Sequence, residues 1–246
     1  MTTMTLAWKH GIFEARRIAA NGEQIILTLV FPLAIALFAS RFTHLAAGTI
    51  DDREHIAAPG AIGVAIAAAA FSSQAIHTAF ERKYGSMRLL GTTPLGGRGL
   101  VLGKAFAVGH IVVAQIAVLA TASALKGWRP AVSGIPFALV AAILGILCFV
   151  SLALILAGTI RAEWTLGIAN LAWIGMVGVG GLLVPLAYRI PVSAEFMGYF
   201  PWGAMGESLR ASLGDTGFPG TSLLVLACWT VVLTAIAARV FRWSSR

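Results

Sequence analysis

Long apolar segments alternate with short polar ones along this chain, and the apolar segments have the length that a membrane requires. A transmembrane helix needs roughly 20 mainly apolar residues. Six such segments are predicted, at about 23–40, 57–80, 100–125, 134–160, 165–187 and 221–241. Because backbone polar groups cannot stay unpaired in hydrocarbon, each segment is expected to be helical. The pattern therefore predicts an all-α integral membrane protein with six transmembrane helices.

Residues 1–22 come before the first apolar segment, and their pattern predicts an amphipathic helix that lies on the membrane surface. Apolar side chains recur there with helical spacing, at Trp8, Ile12, Ala15 and Ala19. Cationic and histidine side chains fall on the other side, at Lys9, His10, Arg16 and Arg17. The alternative is a simple basic flank of the first span. Residues 23–246 are predicted to form the six-span transmembrane domain.

A polar island at residues 81–104 separates the second predicted span from the third. It carries five cationic side chains and one carboxylate. A Lys or Arg at the centre of a membrane helix costs about 2.5–3.5 kcal/mol, so we expect the island in water or at the lipid headgroups. Met87, Leu89 and Leu90 predict a short amphipathic turn that suits docking on another protein, and Thr93-Pro94 ends any helix.

A second long polar connection, residues 188–220, joins the fifth predicted span to the sixth. Phe200-Pro201-Trp202 interrupts two stretches of mixed apolar and polar character, at about 193–199 and 202–213. These stretches predict two short helices, half buried at the outer face of the membrane.

Composition agrees with a membrane protein and argues against nucleic-acid binding. Mean hydropathy is +0.85, with 58% apolar and 11% charged residues, far from the composition of soluble domains. The net charge is +8, but the basic residues punctuate the apolar runs and form no continuous patch. With six spans, twelve Lys and Arg residues lie on the side of the termini and six on the other. The positive-inside rule then places both termini and the island in the cytoplasm.

Two stretches come near to known binding motifs without matching them. Residues 97–105 approach a phosphate-binding loop, but Arg98 and Ala105 stand where the Walker spacing requires Gly and Ser or Thr. The run 51–55 is rich in acidic residues, yet its spacing fits no metal site, and a solvated outer loop is the simpler interpretation. Cys148 and Cys228 lie in apolar runs and are predicted to be packed thiols. No cofactor or metal site is predicted in this chain.

Several polar side chains lie within the predicted spans. The candidates for lining a translocation path are Gln74, His77, His110, Gln115 and Asn170. Polar residues in membrane helices either form hydrogen bonds between helices or face a cavity, and both interpretations stay open here.

The polar island resembles the cytoplasmic coupling loop of type-2 ATP-binding-cassette (ABC) exporter permeases. The matching residues are Glu81, Arg82, Gly85, Ser86, Leu89, Leu90, Thr93, Pro94, Gly103 and Lys104. Arg88 departs from the pattern, because the family often has an acidic residue there. The segment from Phe200 onward is similar to the family's re-entrant outer helices between spans 5 and 6, with candidate residues Pro201, Trp202, Glu207 and Arg210.

The resemblance implies a permease subunit with an N-terminal interfacial elbow helix and a cytoplasmic coupling helix between spans 2 and 3. The residues it implies for contact with an ATPase are Glu81, Arg82, Gly85, Ser86, Arg88, Leu89, Leu90, Thr93 and Pro94. The chain alone would be no enzyme, since separate cytoplasmic ATPase subunits would bind ATP and Mg²⁺. A second permease half, identical or related, would complete the transporter in a bacterial plasma (inner) membrane. The apolar, Ala- and Gly-rich spans favour hydrophobic or amphipathic cargo, such as a drug, a lipid or a lipid-linked precursor.

Other functions make different demands on the sequence. An ion-coupled secondary carrier would need paired carboxylates or inverted repeats with broken helices, and neither is evident. An enzyme acting on lipids would need clustered acidic, His or Ser residues at one depth, and only His77 and His110 come near. A membrane assembly or scaffold protein with the permease fold remains an alternative.

Overall fold

A computed structural model describes residues 3–20, 22–41, 50–93, 96–185, 196–214 and 217–241. Over these residues the chain is all-helical and contains no strand. The α-helices of the described ranges are α1 (Thr3–Ala19), α2 (Gly22–Phe38), α3 (Ile50–Ala67), α4 (Gln74–Lys83), α5 (Ser86–Gly91), α6 (Gly96–Leu125), α7 (Ile135–Thr159), α8 (Ala162–Gly178), α9 (Pro201–Leu213) and α10 (Gly220–Val240). Four segments among them are long and apolar enough to cross a membrane, namely Arg53–Lys83, Arg98–Leu125, Val132–Thr159 and Gly220–Val240.

The second predicted span is longer in the structure than in the prediction. Helices α3 and α4 run on from each other through a π-helical turn, Ala68–Ser73. The helix begins at Ile50, so the prediction of a solvated loop up to residue 56 is wrong. Glu54 is only 2% exposed and forms an ion pair with Lys126 at the end of α6. This pairing allows the Glu54 carboxylate to be buried within the first turns of the helix.

The first and fifth predicted spans correspond to shorter apolar helices. Helix α2 has 17 residues, from Gly22 to Phe38. Helix α8 has 17 residues and ends at Gly178, short of the predicted end at 187. Gly181 follows with a φ of 84°, a left-handed backbone conformation that L side chains rarely adopt and that cannot continue a helix.

The helix formed by α3 and α4 lies at the centre of the bundle. In its most apolar stretch 89% of the residues are buried, against 22% in α10. It packs on α2, α6, α7, α8 and α9. Its many alanines let these neighbours approach closely. Cys148 on α7 is buried as predicted, but Cys228 is exposed because it lies on the peripheral α10.

Three predicted short elements can be compared directly with the structure. The predicted N-terminal helix is α1, which packs along α6. The polar island contains α5, Ser86–Gly91. The second outer helix is α9, Pro201–Leu213, close to the predicted 202–213. The first outer helix, predicted at 193–199, lies mostly outside the described residues.

Candidate functional site

Helix α5 stands at the end of the bundle, between the end of α4 and the start of α6. Gly85 makes the turn into it with a φ of 82°, a left-handed conformation that favours glycine. The Met87 side chain is fully buried in the core, whereas Leu89 is 74% exposed. Arg88 is also exposed, and Leu90 is half buried. The helix is therefore held by one apolar side chain and presents another, beside a cation, to its surroundings.

Two hydroxyl groups follow the last turn of α5. Thr92 Oγ1 donates a hydrogen bond to the Leu89 carbonyl at 2.8 Å, and Thr93 Oγ1 donates to the Leu90 carbonyl at 2.6 Å. These bonds satisfy carbonyl groups that a helix end leaves without partners. Pro94, predicted to belong to the same contact, lies outside the described residues.

A cluster of ion pairs joins three helices, α1, α4 and α6. The Lys104 side chain on α6 is completely buried. Its Nζ donates to Glu14 Oε1 on α1 at 2.6 Å and to Glu81 Oε2 on α4 at 3.1 Å. Arg17 of α1 also pairs with Glu81. A buried cation needs such partners, because an unpaired charge in a low-dielectric interior is strongly unfavourable.

Glu14 is the most deeply buried carboxylate of this cluster. Its Oε2 lies 3.3 Å from His10 Nε2, one turn earlier in α1. Burial by itself would raise the pKa of the Glu14 carboxyl, but the attraction and hydrogen bond of Lys104, together with the contact of His10, outweigh it. They lower the pKa from its ordinary 4.5 to about 2. Glu14 is therefore a carboxylate, and hence a partner for Lys104, throughout the neutral range.

Close contact between α1 and α6 is what brings the cluster together. Gly103 lies directly under His10, and a Cβ built at Gly103 would lie only 2.6 Å from His10 Cδ2. A Cβ at Gly11 would similarly meet Phe106 Cβ at 2.6 Å. The Gly103-Lys104 pair, noted in the sequence as part of a motif, thus combines close helix packing with the buried cation.

Arg82 binds the end of a different helix. Its side chain is buried, and its two terminal nitrogens donate to the carbonyls of Gly158 and Ile160 at the C-terminus of α7. The last carbonyls of a helix lack intrahelical partners and carry partial negative charge, so a guanidinium suits this position. Arg82 thereby fixes the end of α4 to the end of α7.

An exposed ion pair adds a further connection, between α4 and α8. Lys83 Nζ contacts Glu163 Oε1, and both side chains are about half exposed to solvent. The hydrogen bond from Lys83 lowers the pKa of the Glu163 carboxyl. Solvent screens a pair of this kind, so it contributes little to the stability of the fold.

The motif residues therefore divide into two groups in the structure. Glu81 and Arg82 turn inward and contact helices of this chain, whereas the sequence prediction gave them contact with a partner. Ser86, Arg88 and Leu89 turn outward. Ion pairing draws Glu81 away from the surface, and hydrogen bonds to the end of α7 do the same for Arg82.

The polar residues predicted to line a path mostly contact other helices. Ser72 donates to Asn170 Oδ1 at 2.9 Å, and Gln115 Nε2 lies 3.3 Å from Thr28 Oγ1. Gln74 is 1% exposed, and no hydrogen bond to its amide group is found within the described part of the chain. For Asn170 and Gln115, these contacts correspond to the interhelical alternative.

The two histidines occupy different surroundings. His110 is exposed on α6, where its Nδ1 lies 2.6 Å from the Phe106 carbonyl and its ring lies 5.3 Å from that of Trp8. His77 is half buried, within electrostatic reach of Lys104 and Arg17. His77 thus belongs to the neighbourhood of the ion-pair cluster, whereas His110 lies against α1.

The four candidate residues of the outer segment lie together on α9. Arg210 is buried and donates to the carbonyls of Gly181 at 2.6 Å and Leu182 at 3.0 Å, just after α8 ends. It also pairs with Glu207 Oε1 at 2.9 Å. Pro201 opens the helix, and Trp202 stacks on the preceding aromatic ring of Phe200 at 4.9 Å. The segment fixes the chain where it leaves α8.

Sequence reasoning did not single out Glu14 or Arg17 as partners of the island. Glu14 is the one carboxylate among residues 1–22, whose other charged side chains are the cations Lys9, Arg16 and Arg17. Lys104 is a cation next to the apolar run that forms the third span. An acid and a base that are each bordered by apolar residues could have predicted this pairing, because buried charges need partners.

Comparison with models of known protein families and with curated proteins finds no match for the chain. Its function is therefore inferred from the residues and geometry described above.

Proposed function

We propose that this chain is the transmembrane permease subunit of an ATP-driven ABC exporter, with α5 as its contact to a cytoplasmic ATPase. The observation that carries the proposal is a short helix after the end of α4, held by the buried Met87, that exposes Leu89 and Arg88. An exposed leucine beside a cation suits docking into an apolar pocket with an acidic rim.

Six spans are proposed for this subunit, made of the four long apolar segments together with α2 and α8. The termini and α5 then share the side with twelve of the Lys and Arg residues, which supports a cytoplasmic location for all three. The proposed setting is a bacterial plasma membrane. A second permease half would complete the transporter, and the apolar bundle favours hydrophobic or amphipathic cargo.

Energy would reach the spans through the end of α4 and the start of α6, which flank α5 along the chain. An ATPase that binds ATP and Mg²⁺ would change shape on hydrolysis and displace α5. Lys104 and Glu81 tie the neighbouring ends of α4 and α6 to each other and to α1, and Arg82 ties α4 to α7. A push on α5 would therefore move four helices together, as a rigid-body displacement and not as a local bend.

Co-purification tests the proposal directly. The chain is purified in mild detergent with the ABC ATPase encoded beside it, as wild type and as Leu89→Asp. Because Leu89 is 74% exposed, the variant keeps the fold and loses only the contact. We expect at least about a tenfold loss of bound ATPase, as for the removal of an interface anchor. ATP hydrolysis in liposomes is measured in parallel.

The matched control is Leu125→Asp, the same substitution at a leucine that is 85% exposed at the other end of α6. This variant should retain the ATPase. Equal loss in both variants would show that α5 is not the contact. If the wild type binds no ATPase, the exporter proposal fails, and the carrier and scaffold alternatives become the leading ones.

A further inference from the structure

A groove between α6, α7 and α10 has two arginines at one end and apolar walls beyond them. Its volume is about 570 Å³, within the range of small-molecule sites. Residues that line it include Arg98, Leu102, Leu147, Thr230, Ala235 and Arg239.

The two arginines carry charge that nothing in the groove balances. Both Arg98 and Arg239 are exposed, and within the described ranges neither forms an ion pair or a hydrogen bond. None of the described residues that line the groove is acidic. Guanidinium groups bind phosphate oxygens through charge-assisted, often bidentate hydrogen bonds. The end of the groove is therefore suited to a phosphate group.

Beyond the arginines, the wall of the groove presents apolar surface to a ligand, because its hydroxyl groups donate hydrogen bonds within the bundle. Thr230 Oγ1 donates to the Leu226 carbonyl at 2.7 Å and lies 3.1 Å from the Leu144 carbonyl. Thr234 Oγ1 shares a hydrogen bond with Ser151 Oγ at 3.0 Å. A polar ligand would find no free donor among these hydroxyl groups, whereas an alkyl chain would bury apolar surface.

The length of the groove matches one leaflet of a bilayer. Between Thr230 and Arg239, α10 rises by about 13 Å at 1.5 Å per residue. Half of a hydrocarbon core of about 30 Å is similar. A ligand with an anionic head at the arginines and one tail along α10 would thus span the leaflet that carries the arginines.

We propose that this groove binds an anionic phospholipid of the cytoplasmic leaflet. Its phosphate lies between Arg98 and Arg239, and one acyl chain lies along residues 230–238. Basic pockets between helices on the cytoplasmic side are a general way of holding anionic lipids. The site requires a membrane and the orientation given above, but it requires no ATPase, so it can hold where the exporter proposal fails.

Lipid titration followed by native mass spectrometry tests the site. The delipidated full chain in neutral detergent is titrated with palmitoyl-oleoyl phosphatidylglycerol, or with phosphatidylcholine that has the same acyl chains. We expect the wild type to bind phosphatidylglycerol at least about tenfold more tightly than phosphatidylcholine. The double variant Arg98→Gln/Arg239→Gln should abolish this preference. Ala235→Trp fills the groove and should remove the tightly bound lipid while both arginines remain.

Arg161→Gln is the matched control, since Arg161 is an exposed arginine at the start of α8, outside the groove. It should keep the preference for phosphatidylglycerol. The proposal is overturned if Arg161→Gln lowers the preference as much as the double variant, because the attraction is then diffuse. It is equally overturned if Ala235→Trp leaves the tightly bound lipid in place. All substituted positions are exposed or line the groove, and circular dichroism verifies that each variant remains helical.

Discussion

At the scale of single residues, the most consequential side chain is Lys104. Its ammonium group is fully buried, and its charge is balanced by carboxylates from two other helices, Glu14 and Glu81. Buried ion pairs add little stability compared with well-packed apolar residues. Removing one partner is costly, however, because the remaining charge stays buried without compensation.

Lys104→Met should therefore destabilise the protein by about 3–5 kcal/mol, since it leaves Glu14 with His10 as its remaining partner in the cluster. Thermal and denaturant unfolding in detergent measure the effect. Adding Glu14→Gln should recover part of the loss, because it removes the uncompensated charge. Lys83→Met removes an exposed pair and should change stability little. Equal effects of the two lysine variants would contradict the buried cluster.

At the scale of elements, α1 is held to the bundle by close packing as well as by charge. Glycines at the contact let its backbone approach that of α6, and the ion pairs then fall within reach. An interfacial helix that merely rested on lipid would not need either feature. Helix α1 is thus part of the folded bundle.

Gly103→Val should loosen α1, because its Cβ would lie 2.6 Å from His10 Cδ2. Overpacking of this kind costs about 1–3 kcal/mol, so amide hydrogen exchange in α1 should accelerate by about tenfold or more. Gly109→Val is the control on the same helix, where nothing described lies within 4 Å of a new Cβ. If both variants leave α1 equally protected, the packing contact does not hold the helix.

At the scale of the whole molecule, the number of spans decides the orientation of α5. Six spans put α5 and the C-terminus on the same side of the membrane. If only the four long segments cross, α5 and the C-terminus lie on opposite sides. The distribution of Lys and Arg favours the first arrangement.

Reporter fusions distinguish these arrangements. Green fluorescent protein is fused after Thr93 in one fusion protein and after Arg246 in another, and alkaline phosphatase is fused at the same positions. We expect fluorescence and no phosphatase activity at both positions, because both are proposed to be cytoplasmic. A fusion after Arg129 is the control and should give phosphatase activity. Opposite results at Thr93 and Arg246 would show that α8 does not cross, because α8 is the one shorter proposed span between these two positions.

The sequence predicted the elements better than it predicted their contacts. Apolar length alone located the long segments, and Thr93-Pro94 marked the end of α5. The direction of Glu81 and Arg82 was not predictable, because it depends on Glu14, Lys104 and the end of α7, which are distant in sequence. The early start of α3 was not predicted for the same reason. Glu54 can be buried because it pairs with Lys126, which is distant in sequence.

The separation of Glu14 from Lys104 along the chain also fixes the order in which the two helices become available during biosynthesis. The two residues are 90 positions apart. At about 5–20 residues per second, the ribosome needs roughly 5–18 s to make the intervening segment. During that time the N-terminal helix exists without its partner and has to remain where water can hydrate its carboxylate. Helix α1 can pack against α6 only after the start of the third span has left the ribosome.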